Sequence, residues 1–571
     1  MDKRKVAKVL EEVGTLLQLH GANQFRTRAY FNAARVVETM KDDLSELVNS
    51  GAIKEVKGIG DALAAAISEL VQTGKLSSHQ ELLDKTPPGL LDMLKVPGLG
   101  PKKIYTLHND LGVTSIAELE YACIENRLIS LKGFGPKSQE NIIKGIEQVK
   151  KHQGKYLFAD ALFVAQEIIA QMKTCSHVKS ISLAGSLRRY KEVVKDVDIV
   201  TAGSNAEAIK DHFANLPQVA EITSSGNTKV SAITTMGINV DLRIVEPIQF
   251  PYVLHHFTGS KDHNTALRQL AKKRGIKINE YGLFQGESNI VVKDEKEFFS
   301  VLGLDYIPPE LRENMGEISA AEQDKLPQLI TGKDIKGVLH LHTTYSDGSH
   351  SLKAMAEAAQ KLGYSYIGIT DHSQSAVYAR GLSLDDIKRQ REEIDQLNSD
   401  NEDFYIFQGI ESDIHKDGSL DYPDQVLASF DFVIASVHSA FSITGTDATK
   451  RLITAMENPY TTMLGHPTGR LLLGRQGYEP ELEYIIEAAI DNNVILELNA
   501  SPHRLDLSWS SLKLAKDAGA TLVINPDAHK IEELHSTDYG IYIGRKGWLE
   551  PRDVFNTRSL PEVKDSFSKS K

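Results

Sequence analysis

The spacing of apolar residues takes three forms along the chain. Up to residue 150 apolar side chains return every three or four positions, as in KVAKVLEEVGTLLQL over 5–19, which predicts amphipathic helices joined by short polar breaks. Between 155 and 250 short runs of period two, such as INVDLRIV at 238–245, alternate with helical stretches and predict strands and helices in turn. From 338 onward the runs VLHLH, YIGIT, YIFQGIE, FVIAS, TMLGH, VILELN and LVIN are apolar on both faces, and each ends close to a His, Asp or Glu. Helical stretches separate them, so this section reads as a β/α barrel with its reactive face at the carboxyl ends of the strands.

Composition narrows the setting. A chain of 571 residues has room for about three to five domains. No apolar run reaches the roughly 18 residues of a membrane span, and the amphipathic N-terminus lacks the apolar segment of a signal peptide. Cys123 and Cys175 form no motif, so a reducing cytoplasm is the expected location and no membrane partner is expected. Residues 331–571 carry 24 Lys and Arg against 36 Asp and Glu, a difference of -12 that equals the whole formal charge. The same section holds 10 of the 19 histidines. Such a surface repels a polyanion, so any contact with nucleic acid must use local basic patches or bound cations.

Three polar breaks in the helical section repeat one form: VKGIGDAL at 56–63, VPGLGPKK at 96–103 and LKGFGPKS at 131–138. The pairs Gly58 and Gly60, Gly98 and Gly100, and Gly133 and Gly135 each flank one apolar residue. Glycine permits positive φ and lets backbone N–H groups approach another surface, and a helix N-terminus presents unpaired donors suited to phosphate. One such turn is most simply a tight connection between packed helices. Three copies, two of them followed by Lys102, Lys103 and Lys137, favour contact with phosphates. They resemble helix-hairpin-helix elements, which grip the DNA backbone without reading its sequence.

A different chemistry gathers in ISLAGSLRRYKEVVKDVDIV, residues 181–200. Asp196 and Asp198 share one face of a strand, and like charges that close resist joint ionisation unless a cation lies between them. Asp241, in the later strand-like run, adds a third carboxylate. Three carboxylates from adjacent strands suit two Mg²⁺ or Mn²⁺ ions, with Gly185 and Ser186 placed to touch phosphates and Arg189 to supply charge to a triphosphate. A D-x-D at a strand end also occurs as a solvent-facing accident; the conjunction of the G-S turn, D-x-D and a distal strand Asp is what makes it specific.

G-S-x-x-R, D-x-D and the later strand Asp resemble the palm of the DNA polymerase X family, within the nucleotidyltransferase superfamily. HHFTGSKDHNTALRQLAKKRG at 255–275 and INEYGLF at 278–284 resemble its thumb. The resemblance implies that His256, Phe257 and Gly259 line the sugar of an incoming nucleotide, that Asn264 reaches its base edge and that Arg268 faces the template side. Two departures carry consequences. Family members that remove a 5′ deoxyribose phosphate use an activated lysine where this chain has Ala66, with Ala62 nearby, so lyase activity by that route is not expected. His256 stands where a tyrosine is usual, which keeps the plane, loses the phenol and changes the expected discrimination between sugars.

H-x-H, T-D-H, G-I-E, V-H, G-H-P and D-A-H resemble the PHP (polymerase and histidinol phosphatase) domain. Carried over, the resemblance implies that His340, His342, Glu411 and Asp527 hold one metal, that Glu411 bridges to a second with His438 and His466, and that Asp347, His372 and His529 hold a third. Histidine and carboxylate together suit Mn²⁺ or Zn²⁺.

The expected organisation is a multidomain α and α+β polymerase core followed by an α/β PHP distorted barrel. Its parts are an N-terminal helical DNA-binding domain at 1–82, fingers with two hairpin turns at 83–152, a nucleotidyltransferase palm at 153–250, a thumb at 251–318, a polar linker at 319–337 and the PHP domain at 338–571. The expected activity is DNA-directed filling of short gaps in DNA repair, with a metal-dependent 3′-5′ exonuclease or phosphoesterase in the barrel. The partners would be gapped or primed DNA and dNTPs, and the chain a monomer. Two rivals stand beside this reading: a template-independent nucleotidyltransferase, and a DNA-end scaffold whose metals are structural.

Overall fold

The computed structural model describes residues 3–40, 42–150, 154–401 and 403–569. It forms two compact units, Met1–Lys150 and Lys151–Lys571.

The first unit is helical throughout its described residues. Its period of three to four buries Val6, Leu10, Val13 and Leu17 of the opening helix, Lys3–Leu19, in one core with Ala33, Val37 and Ile67. Leu16 and Leu19 of the same helix enter a second core with Ile104, Leu107 and Ile142. Side-chain caps fix the helix starts: Asn23 accepts from the Phe25 N–H, Asp43 from those of Ser45 and Glu46, and Ser115 from that of Glu118. Ala66 lies buried in the helix Asp61–Thr73, so no amine occupies that position.

The second unit opens with β1 (Tyr156–Leu157), β2 (Val178–Leu183), β3 (Val193–Val194), β4 (Asp196–Gly203), β5 (Val219–Ser225), β6 (Lys229–Thr234) and β7 (Asn239–Val245). β1 and β3 pair with each other, and the rest form a five-stranded sheet in the order β2-β4-β7-β6-β5. Only the β4–β7 pair is parallel, with Asp198 opposite Asp241. A smaller lobe follows, built from the helices Phe250–Thr258 and Lys261–Lys273 and the antiparallel strands β8 (Ile276–Asn279), β9 (Gly282–Gln285) and β10 (Ser288–Ile290). Tyr252, Leu267, Phe298 and Phe299 fill its core.

The last section is a single parallel sheet of seven strands in chain order: β11 (Gly337–Leu341), β12 (Tyr366–Ile369), β13 (Tyr405–Asp413), β14 (Phe432–Ser436), β15 (Met463–Leu464), β16 (Ile495–Asn499) and β17 (Leu522–Asn525). A parallel bridge between Leu341 and Ala528 brings the chain just beyond β17 back to the end of β11, so the sheet nearly closes on itself. Helices between the strands cover the outside, which is why these strands are apolar on both faces.

Residues 319–337 differ from the expected polar linker. They begin within the helix Glu317–Glu322, whose Ala321 is buried in the core of the small lobe, and Ile330 and Ile335 are buried against the barrel. The Ile330 N–H donates to the Leu549 carbonyl. A few apolar residues spaced among polar ones suffice to seat this stretch.

Candidate active sites

The β4–β7 pairing brings the three expected palm carboxylates together on two neighbouring interior strands. Along β4 Asp196 and Asp198 alternate with the fully buried Val197 and Ile199, so both carboxylates emerge on the same face. Burial, with Asp196 and Asp241 alongside, pushes Asp198 up to about 6. Burial and Asp241 also raise Asp196. Asp241 is held by Ser231 Oγ at 2.6 Å and Lys229 Nζ at 2.7 Å. A carboxylate cluster of this density is short of positive charge, and divalent cations fit it. Gly185 has φ +61°, and a Cβ there would lie 2.2 Å from Asp198 Oδ2, so only glycine lets the turn sit against the cluster. Ser186 follows at the start of the short helix Gly185–Arg188.

The neighbouring arginines both reach Thr258 of the small lobe. Arg189, expected to face a triphosphate, gives Nε to Glu313 at 3.0 Å and Nη1 to the Thr258 carbonyl at 2.5 Å. Arg188 pairs with Glu295 at 2.6 Å, which also pairs with the fully buried Arg312 at 2.6 Å. Burial raises Glu295, and the two guanidiniums more than offset this, holding it well below the usual carboxylate range. Both arginines therefore tie the palm to the small lobe.

His256, Asn264 and Arg268 line one small cleft with Asn279 and Leu267. Asn264 Nδ2 donates back to the His256 carbonyl at 2.9 Å, and its Oδ1 is left without a hydrogen bond. Phe257 lies outside that cleft, its ring under the Arg243 guanidinium at 3.7 Å. Gly259 has φ +69° and ends the helix carrying His256 and Phe257.

In the first unit Gly58, Gly98 and Gly133 have positive φ, as tight turns require. Gly60 and Gly100 are different: their φ values are -84° and -93°, each caps a helix, and a Cβ on either would meet nothing within 4 Å. Gly135, beside the helix Pro136–Lys150, is equally open. Neither conformation nor internal packing demands glycine at these second positions; close approach by something outside the protein would. Lys102 and Lys137 are exposed beside them, while Lys103 Nζ reaches the Gly98 carbonyl at 3.3 Å.

At the carboxyl ends of the barrel strands all nine expected ligands converge, every one buried. Glu411 Oε1 faces Nε2 of His340, His438 and His466 at 3.4, 3.2 and 3.0 Å, and Oε2 faces His342 Nε2 at 3.6 Å and His372 Nδ1 at 3.0 Å. Asp527 Oδ1 lies 3.5 Å from His340 Nε2 and 3.2 Å from His342 Nε2. Asp347 lies 3.5 Å from His529 and 3.6 Å from His372. Three overlapping groups result: His340, His342 and Asp527; His372, Glu411 and His438; and His342, Asp347, His372 and His529. The division differs from the expected one, because His342 and His372 each straddle two groups through their two ring nitrogens.

Nε2 of His340, both ring nitrogens of His342 and one oxygen each of Asp347 and Glu411 are buried without a well-formed hydrogen bond. Unsatisfied buried imidazole and carboxylate atoms aimed at common points are what a divalent cation would complete. Burial works to raise Glu411, but His438, His340 and His372 together hold it well below its ordinary value. Burial works against a charged His438, and Glu411 and Asp413 more than offset this, pushing it up to about 10.

Several residues of this site are absent from the sequence-based expectation. Glu497 accepts from His340 Nδ1 at 2.7 Å, Asp413 from His438 Nδ1 at 2.6 Å, and Asn499 donates to Asp527 at 2.9 Å. Their signal is a polar residue at, or two positions before, the end of an apolar strand. Lys229 had no comparable signal.

A sheet with three clustered carboxylates, a small lobe clasped to it by arginines, and a parallel barrel with a buried imidazole and carboxylate centre define a nucleotidyltransferase-type palm joined to a barrel whose centre could hold divalent metals. The matching family models agree with this layout: helix-hairpin-helix domain over 1–76, SAM-like helix-hairpin-helix tandem over 90–148, DNA polymerase beta thumb over 253–313 and PHP domain over 339–501. The chain is 42% identical over 567 residues, 99% of each protein, to DNA polymerase/3′-5′ exonuclease PolX of Bacillus subtilis (strain 168). The chain is also similar to a probable phosphatase of Caldicellulosiruptor bescii, 32% identical over 205 residues, covering 33% of this chain and 78% of the relative. The chain belongs to the bacterial X-family DNA polymerases that carry a C-terminal PHP domain. Among the described residues no helix is long and apolar enough to cross a membrane.

Proposed function

We propose that this chain fills short gaps in DNA by templated nucleotide addition at Asp196, Asp198 and Asp241, and trims 3′ ends by hydrolysis at the barrel centre. The observation that carries the reading is the presence, in one folded unit, of two separate clusters of acceptors, a half-buried one of carboxylates alone and a buried one of imidazoles and carboxylates. Mg²⁺ or Mn²⁺ in the palm, and up to three Mn²⁺ or Zn²⁺ ions in the barrel, would polarise phosphate esters and lower the pKa of a bound water. Asp196 and Asp198 hold the face on which the primer hydroxyl and triphosphate meet, and Ser186 with the backbone at Gly185 contacts the phosphates. His256, Asn264 and Arg268 shape the cleft beside them, with Phe257 and Gly259 setting its edge.

The hairpin glycines, with Lys102, Lys103 and Lys137, bind the DNA backbone from the first unit, so the substrates are gapped or primed DNA and dNTPs, met by a monomer in the cytoplasm. Hydrolysis falls to His340, His342, Asp347, His372, Glu411, His438, His466, Asp527 and His529 as the ligand set. The test is a 5′-labelled gapped duplex incubated with and without dNTPs, in Mg²⁺ and in Mn²⁺. Extension directed by the template base and shortening of the 3′ end are both expected, and His342→Ala should lose only the shortening. Extension indifferent to the template would favour a template-independent transferase; no reaction of either kind would favour a scaffold.

A further inference from the structure

Glu497 stands in the middle of β16, beneath the ligands rather than among them, and is fully buried. Its two oxygens receive four donors. Oε1 takes His340 Nδ1 at 2.7 Å and Asn525 Nδ2 at 3.1 Å; Oε2 takes the backbone N–H of His466 at 2.8 Å and Asn499 Nδ2 at 3.3 Å. The amide orientations are fixed by the rest of the network, since Asn525 Oδ1 accepts from the Leu339 N–H and Asn499 Oδ1 from that of Ser501. Glu497 is thus an acceptor on every side, a role open only to a carboxylate. His340 therefore carries a proton on Nδ1, and its Nε2 faces Glu411 and Asp527. Asp413, two residues beyond Glu411 on the same face of β13, repeats the arrangement. Its Oδ1 accepts from His438 Nδ1 and its Oδ2 from Ser375 Oγ at 3.0 Å, leaving His438 Nε2 to face Glu411.

We infer that Glu497 and Asp413 are positioning residues of the barrel centre. Glu497 fixes the tautomer of His340 and the backbone at His466, and Asp413 fixes the tautomer of His438, so that each histidine presents Nε2 to a cation. The inference rests on reading the cluster as a cation site. An amide in place of either carboxylate keeps shape and volume. In Glu497→Gln, however, the NH₂ group must face two of the four donors, and either His340 or the His466 backbone loses its acceptor.

The experiment uses the full chain and Mn²⁺ alone, with binding isotherms followed by electron paramagnetic resonance and ion content counted by mass spectrometry after dialysis. Thermal unfolding in EDTA and nucleotide addition on primed DNA report folding. Glu497→Gln and Asp413→Asn are each expected to weaken barrel Mn²⁺ binding by about 10- to 100-fold, with nucleotide addition unchanged. His342→Ala is run beside them. If it binds Mn²⁺ as the unsubstituted chain does, the cation-site reading fails. If it loses ions while both amide variants bind within about twofold of the unsubstituted chain, the positioning role alone is overturned. Should Glu497→Gln not fold, Asp413→Asn decides the matter, and an unshifted isotherm there overturns the inference.

Discussion

Asp198 shows how one residue joins packing to chemistry. Its backbone belongs to the β4–β7 ladder, its side chain stands beside two other carboxylates, and Gly185 packs so closely against it that a Cβ there would fall 2.2 Å from Oδ2. Burial and those neighbours push it up to about 6, so the unliganded cluster favours protonation just where a divalent cation would favour the charged form. Removing a cluster carboxylate should therefore cost the reaction far more than it costs the fold. Asp198→Ala or Asp241→Ala is expected to reduce nucleotide addition by at least about 100-fold, while 3′ hydrolysis stays within about twofold. Single-nucleotide incorporation and 3′ degradation measured on the same preparation check this; undiminished synthesis by either variant would remove the palm assignment. Asp198→Ala also relieves repulsion, so its thermal midpoint without added metal should not fall below that of the unsubstituted chain.

At the scale of elements, the hairpin turns separate two reasons for a glycine. Gly98 needs its positive φ, whereas Gly100 is an extended helix cap with open space around its Cα. Gly100→Ala should thus leave the thermal midpoint unchanged and weaken DNA binding equally on all sequences, and Gly98→Ala should lower stability by about 1 kcal/mol as well. Thermal melts paired with a salt titration of DNA affinity distinguish them, and unchanged affinity in Gly100→Ala would return the turn to a plain connection. The hairpins and the seven barrel strands are legible in sequence because each repeats a local signature. A strand buried on both faces writes an uninterrupted apolar run, and the ligand marks its end. Glu497 and Asp413 escape that rule because they lie on the same inward face as the ligands yet act on them from the side, which depends on strand register. The partners of Arg189 are illegible for a simpler reason: Glu313 lies 124 residues away, and only tertiary packing brings it near. The buried seat of Ile330 and Ile335 is hidden likewise, since a few apolar residues among polar ones do not tell which surface they meet.

Across the second unit as a whole, the palm is fastened to the barrel by the chain that follows the turn at Gly185 and Ser186. Glu192 accepts from Arg470 Nη2 at 2.9 Å and from the Trp509 N–H at 3.1 Å, and Tyr190 packs on Tyr542 with ring centroids 4.7 Å apart. Glu313 is the hub of this seam, paired with Arg189, with Lys191 at 3.4 Å and with Lys546 at 2.7 Å. The Lys546 side chain is fully buried; burial lowers it to about 8 from 10.5, against the pull of Glu313. Between those two values the unfolded chain holds a proton that the folded chain has released. Stability therefore rises with pH across that window and, for this group, is flat below it. Lys546→Met removes the titrating group and fills the same buried volume, so its thermal midpoint should lack the rise that the unsubstituted chain shows between pH 7.5 and 9.5. Melts of both chains in matched buffers measure it. Equal slopes would mean that Lys546 is not the titrating group of the seam, whereas a slope lost in Lys546→Met but kept in Lys191→Met would assign it to the buried lysine and to the contact that holds palm, small lobe and barrel as one body.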